Sequence, residues 1–203
     1  MHLPEIIVQV EGEYLYVRSP YHPHFPEQAK MAGGKWMGRD QKKWRFDRRL
    51  EQQIRDLLTR IYGWDGSYPV LIADVLVKMD WLPPEFREWG ELWMLGRMLA
   101  RRRGWRAHVE LGPGVSVEHG GFPDSGGNRK EPALNWKPGT VLRVLDVPVA
   151  KIEAVRGKYP EAIEEIPGTR RIVLGKGQAI SAQENQETAR EVTRRLLFPG
   201  EEG

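Results

Sequence analysis

The chain has no cysteine among its 203 residues. This absence excludes disulfide bonds, thiolate-bound zinc, iron–sulfur clusters and a thiol nucleophile. It is typical of proteins of the reducing cytoplasm, where we expect this protein to reside. Long apolar runs are also missing. The longest, residues 69–77, is interrupted by Asp74 and is far too short to span a membrane. Residues 1–5 lack the basic and apolar regions of a signal peptide, so none is expected.

The chain has little net charge, because its 31 lysines and arginines are nearly balanced by 28 aspartates and glutamates. The distribution of the charge along the chain is more informative than the net value. Residues 1–64 carry 11 Lys+Arg and 8 Asp+Glu, whereas residues 65–203 carry 20 of each. Residues 28–49 alone hold eight cations and two acids. The positive charge is therefore a local basic stripe, which is typical of a polyanion-binding surface.

Aromatic residues are interleaved with this stripe. From residue 43 to 46 the sequence alternates Lys43, Trp44, Arg45 and Phe46. Side chains two apart on a strand share a face, so the pattern predicts an aromatic face packed on a core and a cationic face turned to solvent.

The first third of the chain predicts a complete ββαββα unit. Glycines at 33–34 end its first helix, Asp47 caps the second, and Gly63 ends the second. Apolar residues in 50–61 recur at the spacing of an amphipathic helix. The predicted elements are strands 6–10 and 14–18, helix 24–32, strands 35–37 and 43–46 around a polar turn 38–42, and helix 48–62.

The remainder predicts a second mixed α+β domain, so the expected fold class is α+β throughout. The boundary is expected at residues 64–67, giving domains 1–63 and 64–198 and a frayed tail 199–203. The predicted elements are strand 68–78, helix 85–103, hairpin strands 106–111 and 115–119, a long polar loop 120–138, strand 140–147, helix 149–159, a last strand 170–174 and a last helix 184–197.

Residues 14–63 resemble the HARP domain, the small module found beside the motor of annealing helicases and in bacterial and mobile-element proteins. The matching features are the strand at 14–17, the helix ended by Gly33-Gly34, the pair Lys35-Trp36, the strand 43–46 and the helix 54–61. The resemblance implies recognition of DNA, particularly of junctions between single and double strands. The chain contains no phosphate-binding loop of the Walker A type, so a motor would have to be supplied by a partner.

The cations of the stripe are predicted to contact phosphates, each contact releasing counterions and weakening with salt. Two interpretations remain open for the tryptophans. Trp36 and Trp44, with Phe46, are expected in the core of so small a domain, but an exposed aromatic would instead stack on an unpaired base. The predicted nucleic-acid-binding residues here are Lys30, Lys35, Trp36, Arg39, Lys42, Lys43, Arg45, Arg48 and Arg49.

Two features of the second segment extend this prediction. Arg97, Arg101, Arg102 and Arg103 lie at the end of the predicted helix 85–103, where they either complement the helix dipole or form a second phosphate-binding surface. Residues 119–130 combine two Gly-Gly pairs with Arg129 and Lys130, a composition that suits either an anion-binding loop or a mobile connection. A similar glycine-rich segment accompanies HARP-like N-termini in plasmid and conjugative-element proteins.

The residues for catalysis are sparse. His119, Asp124 and Ser125 superficially combine a base, an acid and a nucleophile, but no motif of a known triad surrounds them. No carboxylate pair at ligand spacing accompanies His22 and His24. We therefore predict no enzymatic activity, no metal and no cofactor.

The sequence thus predicts a non-catalytic DNA-binding accessory protein, with RNA as the other possible nucleic acid. Two alternatives stay open. Eight tryptophans together with many arginines favour a protein-interaction factor, such as an inhibitor or subunit of a defence or DNA-processing complex encoded on a mobile element. A metal-dependent nuclease would require His119.

Overall fold

The computed structural model describes residues 1–86, 90–104, 106–175 and 178–181. The chain divides into two compact units, Leu3–Ser67 and Tyr68–Gly203, the latter joined by Met1–His2. The division falls a few residues beyond the expected boundary. Both units mix helices and strands, which confirms the α+β class. The predicted helix 184–197, the tail 199–203 and Trp89 of the predicted helix 85–103 lie outside the described residues.

The first unit is a four-stranded antiparallel sheet with helices between and after its strands. Its strand order is β1-β2-β4-β3, so β2 and β4 are central. The elements are β1 Ile7–Glu11, β2 Tyr14–Arg18, α1 Phe25–Met31, β3 Lys35–Trp36, α2 Gly38–Gln41, β4 Trp44–Asp47 and α3 Glu51–Tyr62. The predicted ββαββα order is confirmed, with one addition. The expected polar turn 38–42 is a short helical turn that ends at Lys42, whose φ of 49° is left-handed.

Helix α3 ends as the sequence predicts, but it begins at Glu51 instead of residue 48, and the predicted cap Asp47 caps a short turn before it. The Asp47 carboxylate accepts a hydrogen bond from the Arg49 amide at 2.9 Å, and this cap precedes a 3-10 turn, Arg48–Leu50, that leads into the helix. Gly63 ends α3 with a φ of 89°, a conformation that costs a side-chain-bearing residue energy.

The core of the first unit lies between one face of the sheet and its helices. Leu15 and Val17 of β2, Trp44 and Phe46 of β4, and the buried face of α3 supply it. Gly34 is required by close packing: a Cβ there would lie 2.4 Å from the Phe46 ring and 2.6 Å from the Ala29 carbonyl oxygen. The second glycine of the pair therefore allows β3 to pack closely against α1 and β4.

The second unit contains a six-stranded sheet and two smaller sheets. In the large sheet the order is β15-β14-β5-β12-β9, with β13 also paired to β5. The elements are β5 Val70–Lys78, β6 Glu91–Met94, β7 Arg97–Arg101, β8 Glu110–Leu111, β9 Val115–His119, β10 Asp124–Gly127, β11 Pro132–Asn135, β12 Val141–Pro148, α4 Val149–Arg156, β13 Ile163–Glu165, β14 Arg171–Gly175 and β15 Gln178–Ser181.

The predicted helix 85–103 is wrong. Its described part forms the antiparallel hairpin β6–β7, which turns at Leu95 and Gly96 with φ values of 55° and 75°. Two consecutive left-handed residues are the signature of a tight hairpin turn whose twist matches its strands. Leu-Gly is a rare pair for such a turn, and the apolar spacing around it fits both a helix and a strand.

Three further predictions in the second unit need correction. The strands near 106–111 and 115–119 do not pair with each other, because β8 pairs with β7 and β9 with β12. The expected loop 120–138 contains the hairpin β10–β11. The strand near 170–174 is not the last, since β15 pairs with β14. For β9 the partner strand is distant in sequence, so no local pattern indicates the pairing.

Across the described ranges, no helix is both long enough and apolar enough to cross a bilayer.

Candidate nucleic-acid interface

One face of the first unit's sheet carries cations over tyrosines. Trp44 and Phe46 are buried, while Lys43 and Arg45 point to the opposite side of the sheet, as the alternation predicts. Lys35 lies directly opposite Arg45 in the β3–β4 register and joins them. We call Lys35, Lys43 and Arg45 the cationic sheet face.

Tyrosines hold two of these cations against the sheet. The Lys43 Nζ atom lies 3.9 Å from the centroid of the Tyr16 ring, and the Arg45 Cζ atom lies 4.5 Å from the centroid of the Tyr14 ring. Such contacts are worth about 0.5–1 kcal/mol each at exposed sites. One face of the Tyr14 ring and one face of the Tyr16 ring are therefore each covered by a cation. This surface presents two cations that rest on aromatic rings.

Trp36 takes a different position from the one expected of a core residue. It lies opposite Trp44 in the β3–β4 register, on the side of the sheet that packs on the core, but at the edge strand. Trp44 is 7% exposed and Phe46 is 1% exposed, so the core prediction holds for them. Trp36 is 45% exposed, so the prediction that it lies in the core is wrong. The edge of the sheet extends beyond the cover of the helices.

Trp36 forms part of a mostly apolar groove of about 650 Å³, which we call the Trp36 groove. Buried Phe25 and Trp44 lie at its base, and exposed Tyr21 lies at its edge. Three cations from two neighbouring segments line it as well. The lining residues are Ser19, Pro20, Tyr21, His22, Phe25, Pro26, Lys30, Trp36, Arg39, Lys42 and Trp44.

The groove is held in shape from beneath. The Tyr62 hydroxyl donates a hydrogen bond to the Pro20 carbonyl oxygen at 2.7 Å, which ties one wall to α3. Burial raises the pKa of Tyr62 to about 12, so the hydroxyl keeps its proton at neutral pH. The Trp44 ring packs 5.4 Å from that of Trp36 and 6.1 Å from that of Phe25, between ring centroids. The exposed ring of Trp36 is thus packed against buried aromatic rings.

Within the described ranges, most cations of the basic stripe form no ion pair with an acid. Arg49 is the exception: it forms a bidentate pair with Asp47, and its hydrogen bonds lower the pKa of Asp47 to about 2. In the part of the chain that the structure describes, seven stripe residues form no such pair. They are Lys30, Lys35, Arg39, Lys42, Lys43, Arg45 and Arg48.

The structure divides these residues between two surfaces. Lys35, Lys43 and Arg45 lie on the cationic sheet face, whereas Lys30, Arg39 and Lys42 line the Trp36 groove. The linear stripe is one feature in the sequence, but strand alternation and the helical turn α2 separate its members in space.

Two of the arginines predicted to bind phosphates in the second unit are structural. Arg97 is 8% exposed and donates hydrogen bonds to the backbone carbonyls of His2, Leu145 and Asp146. Arg102 is 6% exposed and donates hydrogen bonds to the backbone carbonyls of Ala107 and of Gly126 in β10. The prediction is wrong for both, because a buried guanidinium that binds carbonyls is not accessible to a phosphate.

The neighbouring Arg101 and Arg103 share one acid. Arg101 forms an ion pair with Glu110 at 2.9 Å, and the Arg103 Nε atom lies 3.8 Å from the same carboxylate. The expected helix dipole does not apply to them, since Arg101 ends the strand β7 and Arg103 follows it.

Arg129 and Lys130 are exposed at the tip of the β10–β11 hairpin. The Asn128 side chain accepts hydrogen bonds from the amides of Lys130 and Glu131, which fixes the turn that presents both cations.

The sequence suggested that the nearby glycines form an anion-binding loop. In the structure they allow close packing instead. A Cβ on Gly126 would lie 2.1 Å from the Asn135 side chain, and the Gly126 carbonyl accepts the hydrogen bond from buried Arg102.

The candidate catalytic residues are engaged by other groups. The Ser125 hydroxyl donates to the Ala107 carbonyl at 3.3 Å, and Asp124 lies 3.8 Å from Lys137. His22 is 7% exposed and packs edge-on against Tyr62 in the first unit. Among the described residues no group of three His, Asp or Glu side chains is arranged to hold a metal ion.

Sequence reasoning missed the aromatic partners of the cations. The spacing of Tyr14 and Tyr16 on one strand, two residues apart, carried a usable signal. No local pattern indicated that Tyr21 and Phe25 would meet Trp36, because the groove unites the 19–26 segment with β3 and α2.

Three comparisons with known proteins give no match: no protein-family model, no curated protein and no solved structure corresponds to this chain. The resemblance to the HARP domain therefore stays a prediction.

Proposed function

We propose that the protein is a non-catalytic DNA-binding accessory protein, and that its Leu3–Ser67 unit makes the principal contact with DNA. One observation carries this proposal: seven cations of this unit stand on its surface without an acidic partner in the described structure. Like charges held this close repel one another, and a polyanion relieves that repulsion while it releases its own counterions. The HARP-like pattern of residues 14–63 supports the same function, including a preference for junctions.

The cationic sheet face is the proposed phosphate-binding surface. Its three cations lie on a rigid, hydrogen-bonded sheet, and two of them rest on tyrosine rings. Little side-chain freedom remains for Lys43 and Arg45 to lose on binding, which favours affinity. Arg48 and Arg49, in the 3-10 turn before α3, and the exposed Arg103, Arg129 and Lys130 of the second unit are proposed as additional contacts. The cytoplasm is the proposed location.

Fluorescence anisotropy of the full chain tests this function. We expect salt-dependent binding to labelled forked, duplex and single-stranded DNA. The double variant Lys43→Glu with Arg45→Glu should weaken it and lower the slope of log K against log salt by about 0.9 for each phosphate that is no longer neutralised. Circular dichroism should show an unchanged fold, since both side chains lie on the outer face of the sheet.

A matched control makes the same change of charge elsewhere. Lys137→Glu with Lys158→Glu alters two exposed cations of the second unit and should leave the slope unchanged. No binding by the unaltered chain at about 50 mM salt, or equal losses from both double variants, would refute the proposal.

A protein-interaction factor is the second candidate. The observation that favours it is Met31, which is 81% exposed at the end of α1. It borders a second groove of about 810 Å³ between α1 and α3, which carries acids as well as a cation. Met31→Glu should abolish capture of a partner in this case and leave DNA binding intact.

A further inference from the structure

We propose that the Trp36 groove binds a single unpaired nucleobase of a nucleic-acid strand, while Lys30, Arg39 and Lys42 contact the phosphates that flank it. This inference deepens the proposed function and rests on it. The cationic sheet face would contact the backbone of any nucleic acid, and the groove would distinguish an unpaired base from a paired one.

The first support is the chemistry of the groove surface. Its lining is largely carbon, contributed by two tryptophans, a tyrosine, a phenylalanine and two prolines. Trp36 is 45% exposed and Tyr21 is 68% exposed, so aromatic surface is open to a ligand. A nucleobase presents flat, apolar faces that stack on such rings regardless of base identity.

The second support is that the site is preformed. Trp44 and Phe25 are buried to 7% and 2% exposure and block movement of Trp36 into the core. The hydrogen bond from Tyr62 to the Pro20 carbonyl holds the opposite wall. A ligand therefore meets rings that are already in place, which reduces the entropy lost on binding.

The third support is charge. Lys30 comes from α1, Arg39 from α2, and Lys42 from the residue that ends α2. None of the three forms an ion pair with an acid among the described residues. An apolar groove lined by such cations fits a ligand that is aromatic in one part and anionic in another. A base with the phosphates on either side of it has this composition.

The cationic sheet face and the Trp36 groove differ in how far their aromatic rings are exposed. On the cationic sheet face the rings of Tyr14 and Tyr16 are covered by Lys43 and Arg45. In the groove, by contrast, the ring of Trp36 is 45% exposed. In a duplex the faces of the bases are stacked on one another and cannot reach such rings, so a duplex would use the cationic face alone.

The size of the expected preference follows from stacking. Stacking of one base on an aromatic side chain corresponds to roughly 5- to 150-fold in affinity. We expect a duplex with a single-nucleotide bulge to bind tighter than the fully paired duplex by a factor in this range.

The experiment uses the full chain and two DNA duplexes, each with one 2-aminopurine. In the first duplex the fluorescent base is a single-nucleotide bulge, and in the second it is paired with thymine. We expect tighter binding of the bulge and quenching of its emission. Trp36→Ala should reduce the affinity for the bulge to that for the duplex, and Trp36→Phe should restore part of the difference. Trp81→Ala, which removes an exposed tryptophan of the second unit, is the matched control.

The variant Lys30→Ala with Arg39→Ala provides a test that leaves the aromatic rings in place. It should weaken binding of the bulge more than binding of the duplex. Thermal unfolding of each variant shows whether the first unit remains folded.

Equal affinity for bulge and duplex, without quenching and without an effect of Trp36→Ala, would overturn the inference. The proposed function would survive that result if the Lys43→Glu, Arg45→Glu variant still weakened binding of both duplexes. Loss of binding to every DNA tested would instead refute the function itself. Displacement of the bulge by dAMP near the Kd of the DNA would overturn the assignment to a strand, because a free nucleotide would then suffice.

Discussion

The two units use the same residue types for opposite purposes. In the described part of the second unit many cations are paired with its own acids: Lys78 pairs with Glu164 at 2.8 Å and Arg143 with Glu118 at 2.8 Å. In the described part of the first unit, most lysines and arginines of the basic stripe have no acidic partner, and aromatic and aliphatic packing forms the core. The difference shows that the count of cations says little about binding until their partners are known.

A partly buried cluster of three charges in the second unit illustrates this. The Arg171 guanidinium lies between Asp74 and Asp146, 2.9 Å from the Asp74 carboxylate and in contact with that of Asp146. Burial would raise the pKa of Asp146, but hydrogen bonds from the His2 amide and from Arg171 outweigh it and hold that pKa below its usual value. These charges belong to the architecture of the unit.

Trp44→Ala should produce the largest effect, because it removes a buried ring from the core of the first unit. We expect a loss of about 3–5 kcal/mol in the free energy of unfolding, measured by urea denaturation. Trp36→Ala should cost clearly less, since that residue is 45% exposed. Equal losses from the two variants would contradict the division between core and groove.

Arg171→Met should destabilise the second unit by about 3 kcal/mol. This value is at the low end for removal of one partner from a buried ion pair, because 27% of the Arg171 side chain is exposed. Arg39→Met, in the first unit, should change stability by no more than about 0.5 kcal/mol. A large loss from Arg39→Met would show that the first unit also uses its cations structurally.

Alkaline pH should destabilise the first unit. The pKa of Tyr62 is raised from about 10 in the unfolded chain to about 12 in the folded one. Between these values the unfolded state loses the phenolic proton and the folded state keeps it, so the free energy of unfolding falls as pH rises through this window. The fall amounts to about 2–3 kcal/mol in total. Urea denaturation at about pH 9 and about pH 11, on either side of the unfolded-state pKa, measures the first half of this fall, about 1.3 kcal/mol.

Tyr62→Phe is the control for this pH dependence. It removes the titrating group and should abolish the part of the slope that Tyr62 supplies, while it lowers stability at neutral pH through loss of the hydrogen bond to Pro20. A slope equal to that of the unaltered chain would contradict the assignment to Tyr62.

The smallest effect is expected from Arg129→Glu with Lys130→Glu. Both cations are exposed at a hairpin tip, where the adjacent Glu131 offsets part of their charge. Binding of DNA, measured by anisotropy over a salt series, should weaken by only about two- to threefold. A loss as large as that of Lys43→Glu with Arg45→Glu would break the contrast between the units.

Elements that are formed by interactions between neighbouring residues were predicted correctly, and elements that depend on distant segments were not. The strand Tyr14–Arg18 and the end of α3 at Gly63 were predicted correctly, because alternation and a helix-ending glycine act within a few residues. The hairpin Glu91–Arg101 was not, because apolar spacing there fits two structures and only pairing with β8 and packing on the second unit's core select one.

The same rule holds for the candidate site. The basic stripe and the alternation at Lys43–Phe46 could be read from the sequence. The exposure of Trp36 and the burial of Arg97 could not, since each depends on segments that are distant along the chain.

The sequence by itself determined the local charge excess, the ββαββα order of the first unit and the absence of cysteine chemistry. Only the tertiary structure decided which of the described cations pair with acids, which face of the sheet each one occupies, and that Trp36 borders a groove with Tyr21 and Phe25. The physical reason is that composition and periodicity act between neighbours in the chain, whereas burial and ion pairing are settled by whichever segments the fold brings together.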